Sequence, residues 1–571
     1  MRTVPPALPI VLLVLVCLGC GMDERLGSGP ALRIRTAGAM GPTAGLPGDV
    51  DRVVVQILDQ STDEPPGRVE LTREELTDDT AWGVIGVPTG RPIELRVLGL
   101  ATEEVLYTGV VGPFTLAAGE RRYVDLLLVP AGAVTAVGRL PSARAMHTAT
   151  TLADGRILIA GGVESAQPIA CDGQPDGSVC YSLVASSRAW LYDPATGLVL
   201  ETRGSMWAAR AGHSATLLPD GRVLMAGGFS SGELVLLAVE GGVVPRLEAT
   251  AEAALASTEV FDPAENPEEE DLEADGDPGR GGFSAGGQDL AFGRFHHTAT
   301  LVPGTSAVLL AGGRGAGSSD TVEVWNAGIT SGQQALSIPR IAHAAAPSAD
   351  GVWLIGGAAG AVRNSQVVEI YSASGEDGLG TIGPVPREVL TEFPDDATLP
   401  AANAGLNLVG AGAVSLADRR YALVIGWLGP LCEGDQPAWA GEVCGPANRS
   451  FAIDMETGRV TQPVGAGSAN HAFASVVQAP DGGVFVAGGL EDLSRATTPS
   501  VQRFTGTVDD SGMPAVDDGF ALGLGEGRMM LAAAAQTDGT LVVTGGLSFE
   551  GETAVLSDLV EVVNPPRFDE E

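Results

Sequence analysis

The chain has 571 residues, 44% of them hydrophobic and 79 of them glycine, which is enough for more than one buried core and about two to four domains. Its formal charge is -38, and all 33 of its basic residues are arginine. The absence of lysine excludes a P-loop lysine, a Schiff-base lysine and a Ser-Lys dyad, and so acidic a surface repels phosphate backbones, which excludes nucleic acid as a partner.

The chain opens on MRTVPPALPIVLLVLVCLGCGMDE, one arginine followed by an apolar run from Ala7 to Leu18. About a dozen apolar residues are too few for a spanning helix of roughly twenty, so residues 1–19 read as a signal peptide. Cys17-Leu18-Gly19-Cys20 resembles the lipobox of bacterial lipoproteins, with Gly19 at the cleavage position and Cys17 where that family usually has leucine. The resemblance implies lipidation of Cys20, and Gly21 in place of aspartate implies the outer membrane rather than retention at the inner one. Several acyl chains would anchor it stably, at about 0.8 kcal/mol per buried methylene. A plain secretory signal is the alternative. Residues 20–30 read as a tether.

Residues 31–130 hold seven short β-type runs: ALRIRT, DRVVVQILD, GRVELT, AWGVIGV, PIELRVLGL, EEVLYTGVV and RRYVDLLLVP. Turn clusters such as STDEPPG and PTGRP separate them. That spacing predicts a β-sandwich of Ig-like or transthyretin-like kind, with no residue that suggests chemistry.

From 131 to 566 the chain repeats itself. Four strong copies read RAMHTATTLADGRILIAGG (144–162), RAGHSATLLPDGRVLMAGG (210–228), RFHHTATLVPGTSAVLLAGG (294–313) and RIAHAAAPSADGVWLIGG (340–357). Weaker copies are LVGAGAVSLADRRYALVIGW (408–427), HAFASVVQAPDGGVFVAGG (471–489) and RMMLAAAAQTDGTLVVTGG (528–546). Each reads as a strand, a tight turn at or near Asp-Gly, a second apolar strand and usually a Gly-Gly exit. A third strand follows most copies, as in WLYDP (190–194), EVFDP (259–263), EVWN (323–326) and EVVNP (561–565). Four-stranded units in seven copies predict a propeller. The last copy runs out after its third strand, and AVTAVGRL (133–140), unmatched ahead of the first copy, is expected to pair there and cover the open edge. Residues 567–571 remain as a tail.

The double glycine after the second strand and the aromatic in the third resemble the kelch-repeat family. With the sandwich expected of residues 31–130 and the strand pairing expected of 133–140, the resemblance leads to an all-β chain: an N-terminal β-sandwich followed by a seven-bladed kelch-like β-propeller with closure by N- and C-terminal strands. The fourth-strand tryptophan of that family is not evident, and copy five lacks its arginine and a full Gly-Gly. Galactose oxidase also carries kelch-type blades, but its copper-radical chemistry needs axial Tyr and His ligands and a cysteine cross-linked to tyrosine. The six tyrosines here are scattered, so the resemblance in fold brings no enzyme activity with it.

His147, His213, His297 and His343 share one column of the repeat, which Ala411, Ala474 and Leu531 occupy in the weaker copies. A side chain that alternates with alanine and leucine reads as a packing or hydrogen-bonding element rather than a catalytic base. Convergence of the four on the axis, to bind a metal, is the rival reading. Three residues earlier stand Arg144, Arg210, Arg294, Arg340, His471 and Arg528, while Glu259, Glu323, Glu369, Gln502 or Glu561 begins the third strand. These arginines are expected to pair with carboxylates or carbonyls and stitch neighbouring blades together. The remaining repeat positions are the exits Gly161-Gly162, Gly227-Gly228, Gly312-Gly313, Gly356-Gly357, Gly488-Gly489 and Gly545-Gly546.

Cys171 and Cys180, and Cys432 and Cys444, form two close pairs in turn-rich segments, which favours two local disulfides over zinc. GFSAG (282–286) matches a nucleophile elbow around Ser284 but lacks the strand before and helix after that the elbow requires, so the match reads as accidental. The acidic run from Ala264, AENPEEEDLEADGDPG, reads as a solvated loop, with calcium as the metal its carboxylates would suit. No catalytic residue or cofactor is assigned.

Between second and third strands, copies one, two and five carry about 25, 28 and 21 residues, against roughly 7 to 11 elsewhere, and loops on a rigid scaffold are where recognition resides. Inserts tolerated for their small entropic cost are the bland alternative. The expectation is a lipid-anchored envelope protein whose insert-bearing face binds a protein or glycan, its contact with membrane being through the anchor alone. A carbohydrate-active enzyme, a sugar oxidase or sialic-acid epimerase of kelch-like fold, is the runner-up, and an architectural envelope component the third reading.

Overall fold

A computed structural model describes residues 31–37, 46–62, 67–74, 81–85, 87–239, 242–250, 252–264, 280–315, 320–357, 368–373, 379–385, 390–391, 408–416, 419–428, 448–461, 473–490, 496–508, 514–517, 520 and 522–566. The described residues are all-β, arranged as many small sheets, with no helix among them. Cys20, the tail, most of the acidic run, His471, Cys432 and Cys444 lie outside the described residues.

Each of the seven apolar runs near the N-terminus is a strand. Ala81–Ile85, Ala31–Ala37 and Arg121–Leu127 form one sheet; Gly67–Thr72, Arg52–Asp59, Pro92–Ala101, Glu104–Thr115 and Val129–Pro130 form the other. Alternation decides their packing. Val53, Val55, Ile57, Leu95 and Val97 of the larger sheet share one core with Val124 and Leu126 of the smaller.

The repeats give seven further sheets, each in the order first, second, third and fourth strand. Copy one is Thr148–Thr151, Ile157–Ala160, Ala189–Asp193 and Leu198–Glu201. Copy two is Ser214–Leu217, Val223–Ala226, Thr258–Asp262 and Gly282–Ala285. Copy three is Thr298–Leu301, Val308–Ala311, Thr321–Asn326 and Ile329–Ala335; copy four is Ala344–Pro347, Val352–Ile355, Glu369–Ala373 and Gly380–Pro384. Copy five is Leu408–Leu416, Tyr421–Leu428, Asn448–Asp454 and Arg459–Thr461, with Leu390–Thr391 added in parallel at its edge. In copy six Ser475–Gln478, Val484–Ala487 and Ser500–Val508 are followed by two short strands, Pro514–Val516 and Leu522–Gly523, both paired with the third. Copy seven supplies Ala532–Ala535, Leu541–Thr544 and Leu559–Asn564 itself, and its fourth strand is Ala133–Arg139, antiparallel to Leu559–Asn564 as expected.

Six of the second strands, ILIA, VLMA, VLLA, VWLI, VFVA and LVVT, are buried at every position. A strand apolar on both faces needs a neighbouring sheet on each side. The apolar clusters supply them: Leu158 and Leu191 of copy one meet Val223 and Met225 of copy two, whose Leu224 and Val260 meet Val308 and Leu310 of copy three. Leu309 and Val324 then meet Val352 and Leu354, and Trp353 and Ile370 meet Ala422 and Val424. Leu423 and Ile425 meet Val484 and Val486, and Phe485 and Val501 meet Leu541 and Val543. Finally Val542, Val560 and Val562 of copy seven meet Ile157, Ile159 and Trp190 of copy one. First strands of successive copies lie side by side in the same order, copy seven beside both six and one.

Leu127 and Val129 extend the cluster between copies seven and one, which seats the N-terminal sheets on those two copies. Asn564 Nδ2 donates to Thr108 Oγ1 at 2.9 Å and Pro130 O at 3.0 Å, and Arg96 Nη2 donates to Thr537 O at 2.8 Å across the same junction.

The long inserts depart from the expectation of loops. Val163–Ile169 and Val179–Ala185 of copy one pair with Ser231–Val239 and Gly242–Glu248 of copy two in a single four-stranded sheet. Its apolar face, Tyr181, Leu183, Leu234, Leu236, Val243 and Leu247, buries against Ala145, Ala211, Phe229, Phe295 and Met529 at the ends of four copies. Two inserts of alternating pattern, each unable to bury its apolar side alone, become a cap by sharing one core.

Candidate functional site

The repeated arginines are fully buried and act within their own sheets. Arg210 donates to Gly227 O at 2.7 Å and to Glu259 at 2.5 Å; Arg294 donates to Gly312 O at 2.8 Å and Glu323 at 2.5 Å. Arg340 joins Gly356 O at 2.8 Å and Glu369 at 2.9 Å, and Arg528 pairs with Glu561. The same carboxylates accept backbone amides of the incoming link, Trp207 at 2.7 Å, Ala291 at 2.7 Å, Ser337 at 2.6 Å and Gly525 at 2.7 Å. Copy one departs from this. Trp190 stands opposite Ile159 as Glu259 stands opposite Met225, and the Arg144 guanidinium lies 3.8 Å from the indole centroid instead of on a carboxylate. Burial without a partner carboxylate lowers Arg144 to about 9.

Stitching between neighbouring sheets, expected of the arginine side chains, is done instead by their carbonyls. Gly162 N–H donates to Arg210 O at 2.9 Å, Gly228 to Arg294 O at 2.8 Å, Gly313 to Arg340 O at 2.8 Å, Gly489 to Arg528 O at 2.8 Å and Gly546 to Arg144 O at 2.7 Å. The first glycine of each exit has positive φ, 64° at Gly161, and a Cβ there would stand 2.9 Å from His213 Cε1 of the next copy.

The histidines span the same seams. His213 Nε2 is hydrogen-bonded to Thr148 Oγ1 of copy one at 3.1 Å, His297 Nε2 to Ser214 Oγ of copy two at 3.0 Å, and His343 Nε2 to Thr298 Oγ1 of copy three at 2.9 Å. His147 reaches back to copy seven, where alanine occupies the hydroxyl position as Ala532; it bonds Thr544 Oγ1 at 2.8 Å, the residue paired with Ala532 across the strands. Burial, with nearby arginines, depresses His213 and His343 to about 3 and holds His147 and His297 well below the ordinary range. The four rings are therefore neutral inter-sheet contacts. Among the described residues, no three His, Cys, Asp or Glu side chains gather as a metal-binding group.

Sequence reasoning missed the column between arginine and histidine. Met146, Gly212, His296, Ala342, Phe473 and Met530 have φ of 57°, 59°, 53°, 50°, 58° and 53°. Met146 N–H donates to Met530 O at 2.9 Å, Gly212 to Met146 O at 3.0 Å, Ala342 to His296 O at 3.0 Å and Met530 to Phe473 O at 3.0 Å. A backbone belt thus links left-handed residues of neighbouring copies. Met146, Phe473 and Met530 pack against the core beneath the cap, so the end of the molecule under the cap is lined mainly by apolar side chains.

The Cys171–Cys180 disulfide is present and closes the connection between the first two cap strands. Gln174 from that connection accepts from Arg246 Nη2 at 3.0 Å, Arg314 of copy three donates to Leu247 O at 2.7 Å, and the Tyr181 hydroxyl donates to Glu552 O. Glu552 lies in the turn of a hairpin, Leu547–Glu550 and Thr553–Leu556, that leaves copy seven beside the cap. Ser284 sits inside a regular edge strand with its hydroxyl 3.5 Å from Val260 O, which is not an elbow. Trp207 is 73% exposed although its backbone is fixed on Glu259. The chain matches no protein-family model and no curated protein sequence.

Proposed function

We propose that the chain is a seven-bladed kelch-like β-propeller carried by an N-terminal β-sandwich and anchored in the outer membrane through lipidated Cys20. The cyclic series of apolar seams and the pairing of Ala133–Arg139 with Leu559–Asn564 support the propeller reading. Its function is non-enzymatic binding of a protein or glycan on the face that bears the inserts. The observation that carries this is the cap: two inserts build one sheet, fixed by a disulfide and tied to copies three and seven, over the ends of four copies. Ordered, asymmetric additions to a symmetric scaffold are where binding specificity is placed. The test is capture of surface glycans and proteins by the intact protein, compared with Ile169→Asp and Val184→Asp, which alter exposed cap residues only. Binding lost in those variants or in Trp207→Ala supports the reading. Turnover of a sugar panel by the wild type would replace it with the enzyme reading. Fractionation of Cys20→Ser, expected to leave the membrane fraction, tests the anchor separately.

A further inference from the structure

The repeats provide an internal control on Trp207. Its structural task is to place a backbone N–H on Glu259, and Ala291, Ser337 and Gly525 perform that task in three other copies. None of these needs a large side chain. The indole at 207 therefore contributes nothing to the link, yet it leaves a large apolar face in water.

Its surroundings define what could cover it. Met206, buried beside it, donates to Ser187 O at 2.9 Å, and Thr202 N–H donates to Ala189 O at 3.2 Å. These bonds bring the ends of Arg188 and Glu201 to the same corner of copy one, where their side chains are 55% and 59% exposed and 3.9 Å apart. The backbone of Trp207 thus follows directly on the corner that carries one exposed fork of donors and one exposed pair of acceptors. Of the other exposed large hydrophobic residues, Leu198, Leu217 and Ile329 lie at the opposite strand ends, while Ile169 and Val184 belong to the cap. A stable protein interface needs about 800 Å² per partner around an apolar centre, and one indole supplies roughly 150–250 Å². A single sugar ring matches that size.

We infer that Trp207 is a stacking platform for a neutral hexopyranose residue, with Arg188 and Glu201 hydrogen-bonding its equatorial hydroxyls. This rests on the binding function proposed above and names its ligand class. The polarised C–H face of a pyranose meets the negative face of the indole, and the ring edge meets the charged pair. A neutral sugar suits a chain of charge -38, which repels polyanionic glycans.

The test uses the full chain on an array of neutral and acidic oligosaccharides, followed by calorimetry with the strongest neutral binder. Trp207→Ala is expected to weaken binding at least tenfold and Trp207→Phe by no more than about threefold, while Arg188→Ala and Glu201→Ala each weaken it several-fold. Equal binding by wild type and Trp207→Ala would overturn the platform and leave the binding function standing. Preference for acidic glycans would overturn the ligand class. Self-association that Trp207→Ala abolishes, without any glycan binding, would assign the indole to a second copy of the chain and overturn the inference. If neither glycan nor protein binds the wild type, the binding function fails together with it.

Discussion

At the scale of single residues, the histidine column sets an acid limit on stability. The folded-state values of His213 and His343 lie near 3, below the roughly 6.5 of an unfolded chain, so between those limits the unfolded state binds more protons. Stability is then fully present above about pH 6.5 and lost as pH falls, by about 1.4 kcal/mol per pH unit for each such ring. Leucine already fills this column as Leu531, beside the glycine exit of copy six. His343→Leu should therefore reduce proton uptake on unfolding at pH 5 by close to one, measured from urea melts across pH 4.5 to 7; an unchanged slope would show that His343 titrates normally. The arginine column makes a contrasting prediction. Arg210→Met strands the buried Glu259 carboxylate and should cost roughly 3–5 kcal/mol, whereas Arg144→Met strands no carboxylate and should cost roughly 1–3 kcal/mol. Equal losses in denaturant melts would remove the distinction between the ion pair and the stacked guanidinium.

At the scale of elements, what could be read from the sequence follows from locality. Each repeat hairpin was legible because strand, Asp-Gly turn and strand lie within twenty or so residues, and repetition separated the structural His and Gly from any catalytic role. The cap was not legible, since its central pairing joins Val179–Ala185 to Ser231–Val239 across copy one's third and fourth strands and copy two's first and second. Alternation in ELVLLAV announced a strand but not its partner. The left-handed belt was hidden for a different reason: Gly212 and His296 are residue types that φ between 53° and 59° favours, but Met146, Ala342, Phe473 and Met530 give no such signal. Trp207 occurs in one copy only, so repetition gives it no signal. The cap also has its own stability. Cys171 and Cys180 are nine residues apart, and in the chain-entropy model a loop of that size contributes about 2–3 kcal/mol. Reduction, or Cys171→Ser with Cys180→Ser, should speed amide exchange in the cap strands while strands of copies three to six keep their protection. Uniform loss of protection would mean that cap and repeats unfold as one unit.

At the scale of the whole molecule, the decisive contact joins strands more than four hundred residues apart. Copy seven has three strands of its own, and Ala133–Arg139 supplies the fourth, Val134 facing Val563 and Thr135 facing Val562. Without it the third strand of copy seven would present an unpaired edge, and the cluster that copies seven and one share with Leu127 and Val129 would lose Val137 and Leu140. This one strand therefore couples three things: the edge of the last copy, its seam with the first, and the seat of the N-terminal sheets. The loop this contact closes is the entire repeat array, so its closure carries the largest entropic cost of any pairing between the copies. A covalent link at Val134→Cys and Val563→Cys reports on it directly. The two cysteines should oxidise spontaneously and raise the unfolding midpoint, since closing so long a loop is worth about 6 kcal/mol in the chain-entropy model, with the gain reversed by reductant. Should both thiols stay reactive towards alkylation in the native protein, copy seven ends at an open edge and the cyclic order of the seams is broken there.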